Sequence, residues 1–183
     1  MYGILIGIDP GASGSIAHVK LKDNKPQGIP TAVKMPKSYG EIEDYLKEIT
    51  KGLERPLCII EKINLRPSDM HGGKAFGMMK LMKNFEYLKA ALEQTNIGFI
   101  QAHPLTWQNA LKLKLKGPGA KEETQTARKN RYKAEAQDKF KEIKCTLWNS
   151  DALLLLYFGA YKLQHDQDYI MKNLPDLDLD LLF

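Results

Sequence analysis

The sequence predicts an α/β fold in which an opening hairpin leads into an open mixed sheet flanked by helices. Three observations predict it. The apolar run Ile4-Leu5-Ile6-Gly7-Ile8 ends on Asp9, turns through Pro10 to Gly14 and resumes as the alternating Ser15-Ile16-Ala17-His18-Val19-Lys20-Leu21-Lys22, the pattern of a hairpin. A second run, Leu57-Cys58-Ile59-Ile60, is unbroken and closes on Glu61, as a strand covered on both faces does. Segments with helical period stand between and after these strands, from Glu41 to Leu53 and from Ala75 to Leu92 among them, and the last, beginning near Asn149, is apolar almost all round.

After the hairpin, Ile29 to Met35 reads as a third strand, and Pro30 places it at an edge. Ser38 opens a helix with apolar residues at 42, 45, 46, 49 and 53, and Glu41 stands at the capping-box spacing. The stretch from Asn64 to Lys74 is polar and rich in Gly and Pro, so it reads as a loop beside Glu61. Its Arg66, Met70, His71 and Lys74 are candidates to meet a substrate. From Ala75 to Leu92 follows a helix with a face of Met and Phe; core packing competes there with a dimer contact through Met78, Met82 and Phe85. Ile97 to Ala102 reads as the last strand, and Pro104 opens the next helix.

At 183 residues with 43% hydrophobic and 27% charged residues, the chain is expected to fold as one soluble domain with some decoration. The domain is expected to span residues 1–165, followed by an acidic, leucine-rich tail at 166–183. No apolar run is long enough to cross a bilayer, and Met1-Tyr2-Gly3 enters a strand without a basic, cleavable leader, so a cytoplasm is the expected setting. Cys58 and Cys145 sit in apolar surroundings and read as buried thiols, not as a disulfide or zinc framework.

The net charge of +5 is uneven: residues 1–165 carry 26 bases against 17 acids. Between Lys112 and Lys144 there are eleven bases and five acids. Lys121 lies in the link Lys116-Gly117-Pro118-Gly119-Ala120-Lys121, and Arg128, Lys129, Arg131 and Lys133 lie on a polar helix from Thr124 to Phe140. The stretch reads either as a solvated face or as a surface that tracks phosphates.

Asp9 before Pro-Gly is ordinary turn chemistry, and an acid in a helix's first turn, as at Asp151, is favoured by the helix dipole. Together with Glu61 they have a joint explanation. If the two strands are neighbours and the last helix crosses them, the three acids converge and repel one another unless divalent cations neutralise them. Gly11 and Gly14 would then leave room for a metal and a phosphate beside Asp9. Hard oxygen ligands with no His or Cys cluster select magnesium or manganese, whose chemistry in such sites is two-metal phosphodiester hydrolysis.

The ordered set Ile6-Gly7-Ile8-Asp9-Pro10-Gly11 with Gly14, Ile59-Ile60-Glu61, His103-Pro104-Leu105-Thr106-Trp107, and Ser150-Asp151-Ala152-Leu153-Leu154-Leu155 with Gly159 resembles the RuvC-like Holliday junction resolvases of the ribonuclease H superfamily, especially their phage-encoded branch. The resemblance covers residues 3–163. It implies a ribonuclease H-like mixed sheet, antiparallel in its first strands and then parallel, flanked by helices. It also implies a homodimer that nicks four-way DNA junctions with Mg2+ or Mn2+, in a bacterial or phage-infected cell. Asp9, Glu61 and Asp151 fall on three of the family's metal-binding acids. The fourth position, three residues before the last acid, holds Trp148 here, which leaves Asn149 or a water to complete the shell. The family's basic residues near the last acid point to Lys129, Arg131 or Lys133 at the scissile phosphate.

Two rivals stand beside this reading. An actin-like kinase or ATPase shares the strand-Asp-Gly opening but needs a second domain, for which the chain has no room. A branched-DNA-binding protein of the same fold, weak or inactive in cutting, accounts for Trp148. The tail Leu174-Pro175-Asp176-Leu177-Asp178-Leu179-Asp180-Leu181-Leu182-Phe183 alternates acids with leucines, as a half-buried edge strand does. It also resembles the short acidic tails through which bacterial replication and repair proteins engage partners.

Overall fold

The structure, a computed structural model, describes residues 1–64, 74–113 and 123–174. Strand β1 (Ile4–Asp9) pairs antiparallel with β2 (Ser15–Lys22), and β2 pairs antiparallel with β3 (Lys25–Lys34). On the other side of β1, β4 (Leu57–Glu61) and then β5 (Gly98–Ala102) add in parallel, giving the order β3-β2-β1-β4-β5. The sheet is thus mixed, with the first strand at its centre. β3 begins at Lys25, earlier than its apolar residues suggest. Asp23 and Asn24 both adopt left-handed backbone (φ 54° and 59°), forming a tight two-residue hairpin, and the first half of β3 is exposed, so no alternation marks it. The predicted edge position holds, with a register shift between its two halves where Gly28 and Pro30 fall.

Among the described residues six helices cover the sheet: α1 (Tyr39–Thr50), α2 (Lys74–Gln94), α3 (Pro104–Ala110), α4 (Gln125–Lys139), α5 (Ser150–His165) and α6 (Gln167–Asn173). Ser38 caps α1, accepting the Glu41 N–H at 3.2 Å, while the Glu41 carboxylate accepts from Lys37, one residue before a capping box would place it. Strand alternation sorts the core into two layers. Ile4, Ile6 and Ile8 of β1 and Cys58 and Ile60 of β4 face α1 and α2; Leu5, Leu57 and Ile59 face α5, with Trp107 of α3, Tyr132 of α4 and Ile170 of α6 in the same cluster.

The centre of the second layer has no side chain between strand and helix. A Cβ on Gly7 would stand 2.4 Å from the Ala152 carbonyl oxygen and 2.6 Å from the Leu156 nitrogen, so the α5 backbone lies directly on β1. Gly159, two turns further on, makes room instead for the side chains of Ile59 and Leu5, 2.7 and 3.1 Å from where its Cβ would stand. These glycines let the buried helix seat close to the sheet and bring its N-terminus to the end of β1.

Several expectations shift. Phe85 is 4% exposed within the α1/α2 layer, so it is core and not a dimer contact, whereas Phe76 and Met79 are the widely exposed apolar residues of α2. The folded body continues beyond residue 165: α6 is capped by Asp166, Ile170 is buried, and Leu174 packs on the α5-side cluster. Residues 175–183 lie outside the described residues. Cys58 and Cys145 are free and buried, and no helix among the described residues is long and apolar enough to cross a membrane.

Candidate functional site

Asp9 and Glu61 end adjacent parallel strands whose last paired residues are Ile8 and Ile60. Both follow the parity of Leu5, Gly7, Leu57 and Ile59, so both carboxylates stand on the α5 face. Asp151 opens α5, whose first turn is drawn to that strand end by the Gly7 contact with Ala152. The structure therefore brings the three predicted acids together. The loop after Asp9 is held from two directions: Gly11 N–H donates to Asn84 Oδ1 at 3.0 Å, and Gly14 N–H donates to the Gly11 carbonyl at 3.0 Å. A Cβ on Gly14 would lie 2.0 Å from the Asp9 carbonyl oxygen. Gly14 thus serves the tightness of the turn, and the expectation that it opens space for a ligand gives way to that.

Burial raises all three carboxyl pKa values. Asp9 is pushed well above the usual range by burial, then by the negative charges of Asp151 and Glu61, with Lys129 acting against them. Glu61 is pushed up to about 7 by burial, with Asp151 adding to the rise; the Trp107 indole hydrogen bond and Arg128 oppose it. Asp151 is raised by burial against Lys129, the Ser150 hydroxyl and Arg128. Trp107, 1% exposed, donates its Nε1–H to Glu61 Oε1 at 3.1 Å, and its ring meets Tyr132 edge-on at 5.7 Å. Tyr132 and Ala136 form the buried stripe of α4. Arg128 and Lys129, one turn earlier, share that face and reach over the acids. Neither makes an ion pair within 4.0 Å among the described residues.

The three candidate phosphate-binding bases separate in space. Lys129 acts on Asp9 and Asp151. Arg131 is committed elsewhere: its guanidinium holds both Glu123 carboxylate oxygens, at 2.9 and 2.7 Å, and donates to the Leu113 carbonyl. Lys133 stands by Cys145, whose thiol burial pushes up and Lys133 pulls down. Asn149 is spent as well. Its amide oxygen accepts from Thr146 N–H at 2.7 Å and from Thr146 Oγ1 at 3.0 Å, and its nitrogen donates to the Lys144 carbonyl, so both oxygen lone pairs close the turn before α5 and none is left for a metal. Trp148 lies under the Lys34 ammonium, 6.0 Å from the ring centroid. Lys74 begins α2; Arg66, Met70, His71 and Lys121 lie outside the described residues.

An open cleft of about 640 Å³ lies beside Glu61, bounded by Pro10, Asn64, Leu81 and His103. His103 caps α3 by accepting the Leu105 N–H on Nδ1, which leaves the ring proton on Nε2. Nε2 is 2.7 Å from the Asn64 amide, whose oxygen must therefore turn to it.

Asp9, Glu61 and Asp151 supply hard oxygen donors whose burial and mutual repulsion favour a bound cation, which fits a hard divalent metal. Among the described residues no three His, Cys, Asp or Glu side chains stand close enough together to hold a metal ion as they are placed. The sequence pattern assigns no role to Trp107 and sets Arg128 only on a surface that tracks phosphates. The signal was present in both cases: a buried indole needs an acceptor, and the phase of Tyr132 and Ala136 sets 128 and 129 on the side of the helix toward the acids.

By sequence, no family profile and no curated protein matches this chain. By structure, a T. thermophilus RuvC in complex with a Holliday junction substrate superposes with a TM-score of 0.56 at 14% identity, over 89% of this chain and 96% of that one. A second Thermus thermophilus RuvC structure superposes with a TM-score of 0.53, also at 14% identity, over 93% and 98%. The chain has the RuvC-like fold.

Proposed function

We propose that this protein is a structure-selective DNA endonuclease that resolves four-way junctions by metal-dependent hydrolysis of phosphodiesters, acting as a homodimer. The reading rests on one observation: three half-buried carboxylates gathered on one face of the sheet at the mouth of α5, beside Arg128 and Lys129, in a fold shared with a RuvC that is bound to a Holliday junction. Asp9, Glu61 and Asp151 would hold Mg2+ or Mn2+. When bound, the metal supplies charge neutralisation and Lewis acidity toward a phosphodiester. Trp107 orients Glu61 through its indole N–H, Asn84 fixes the turn after Asp9, and Arg128 and Lys129 offer positive charge to the phosphates of a bound strand. A homodimer places two such sites about a two-fold axis, as paired nicks require. The setting is the cytoplasm of a bacterial or phage-infected cell, and the segment from Asp176 to Phe183 would recruit a replication or repair partner.

A second reading, a branched-DNA-binding protein of the same fold that cuts weakly or not at all, is favoured by Trp148 at the fourth ligand position and by the engaged amide of Asn149. A labelled four-way junction, titrated with and without Mg2+, separates the two. Cutting that needs the metal and is abolished in Asp9→Asn, with junction binding retained, supports the nuclease; binding without cutting supports the second reading, and undiminished cutting by Asp9→Asn removes the assigned site.

A further inference from the structure

Ser15 is fully buried, and its hydroxyl has no hydrogen-bond partner. Leaving such a group unsatisfied costs about 1–3 kcal/mol, and alanine would fill the same place on a strand without that cost. Its position is informative. Ser15 is the cross-strand partner of Asp9 on one side and of Lys34 on the other, and it shares the parity of Ala17, Val19 and Leu21, which face α5. The hydroxyl therefore stands in one row with the Asp9 side chain, on the face that carries the acids. Lys34 does not satisfy it, for its ammonium lies over the Trp148 ring. The other buried orphan among the described residues, the Tyr45 hydroxyl, belongs to the opposite layer and sits near His18 and Glu48.

We propose that Ser15 is a positioning residue of the acid site, whose hydroxyl donates to the Asp9 carboxylate and holds it in the orientation that binds a divalent cation. Outer hydrogen bonds of this kind orient ligating carboxylates and contribute strongly to metal affinity. The hydroxyl has no other partner among the described residues, and the Asp9 carboxylate is the acceptor beside it in the row. The inference rests on the reading of Asp9, Glu61 and Asp151 as cation ligands.

The experiment is a Mn2+ titration of the full-length, metal-free protein, followed by paramagnetic resonance or calorimetry, with thermal melts before and after the ion is added. Ser15→Ala is expected to bind Mn2+ about tenfold more weakly. Its metal-free melting temperature should be unchanged or higher, because no hydrogen bond is lost in that state. Wild-type Mn2+ affinity in Ser15→Ala, or a metal-free melting point several degrees below wild type, overturns the proposal. Asp9→Asn serves as the reference. If Asp9→Asn weakens binding and Ser15→Ala does not, only the role of Ser15 falls; if neither does, the cation reading of the whole site falls with it.

Discussion

The two faces of the sheet are built from the same strands and bury similar aliphatic residues, yet they meet their helices in different ways. Toward α1 and α2, β1 presents Ile4, Ile6 and Ile8, and the contact is side chain against side chain. Toward α5 it presents Leu5, Gly7 and Asp9, a sequence that shrinks to bare backbone and then ends in a charge. The first arrangement gains stability from apolar area, at about 1.5–3 kcal/mol for each large side chain fully buried. The second gives up part of that gain to bring a helix start, with its positive dipole end, against two strand-end carboxylates. The face whose centre is backbone against backbone is the one that gathers the three acids.

The sharpest way to break this comparison is to give Gly7 a side chain. The clash in Gly7→Ala is with main-chain atoms of α5, which no rotamer change relieves, so a loss of more than about 3 kcal/mol and a fall of about 6–12 °C in melting temperature are expected. A wild-type melt would mean that α5 is not seated on β1 in this way.

The acids are the next largest difference. Because Glu61 is raised from 4.5 to about 7, the folded state binds its proton more tightly than the unfolded chain does. The stability linked to that proton is complete below about pH 4.5 and is lost as pH rises through 7, a change of up to about 3 kcal/mol. Asp9 and Asp151 shift in the same direction. The metal-free protein should thus melt progressively lower between pH 4 and 8. Glu61→Gln, measured without metal at pH 8, should melt higher than wild type; equal melting temperatures across that range would remove the electrostatic contrast between the faces.

Trp107→Phe tests whether the α5 face is tuned as well as charged. Without the indole donor, Glu61 should titrate higher still, and the folded protein at pH 8 should lose about 1–2 kcal/mol more. Carboxyl titration by NMR reads the shift directly, and an unmoved Glu61 would leave Trp107 a packing residue. The smallest effect belongs to the other layer. Gly40 in α1 has no atom within 4 Å of a built Cβ and needs no left-handed backbone, so Gly40→Ala should stabilise the protein by up to about 1 kcal/mol. A loss of stability there would show that α1 is held as tightly as α5.

The positions of Asp9 and Glu61 were legible because a strand ending on a carboxylate is a local pattern, and period two alone assigns both to the same face once their strands are neighbours. Ser38 marked a helix start through cap chemistry that depends only on the next three residues, and Pro104 marked another because its fixed φ suits a first helical turn. The first half of β3 was silent for the converse reason: an exposed edge strand has no buried side to impose a pattern. The fates of Arg131, Asn149 and Phe85 were also illegible. Each side chain carries groups that suit several partners, and the partner is chosen by what the packed chain brings near: Glu123 and Leu113, Thr146, and the α1/α2 core.

The sequence by itself determined the order of the elements as far as α5, the opening hairpin, the buried character of α5 and the three acids at element ends, since each follows from interactions within a few residues or from the period of one element. Only the tertiary structure decided that α5 lies backbone to backbone on β1, that Trp107 reaches Glu61 from 46 residues away, and that Lys129 faces the acids while Lys133 does not. Those outcomes depend on the distance between elements and on the rotation of each helix about its axis. Close packing sets both for the whole domain at once.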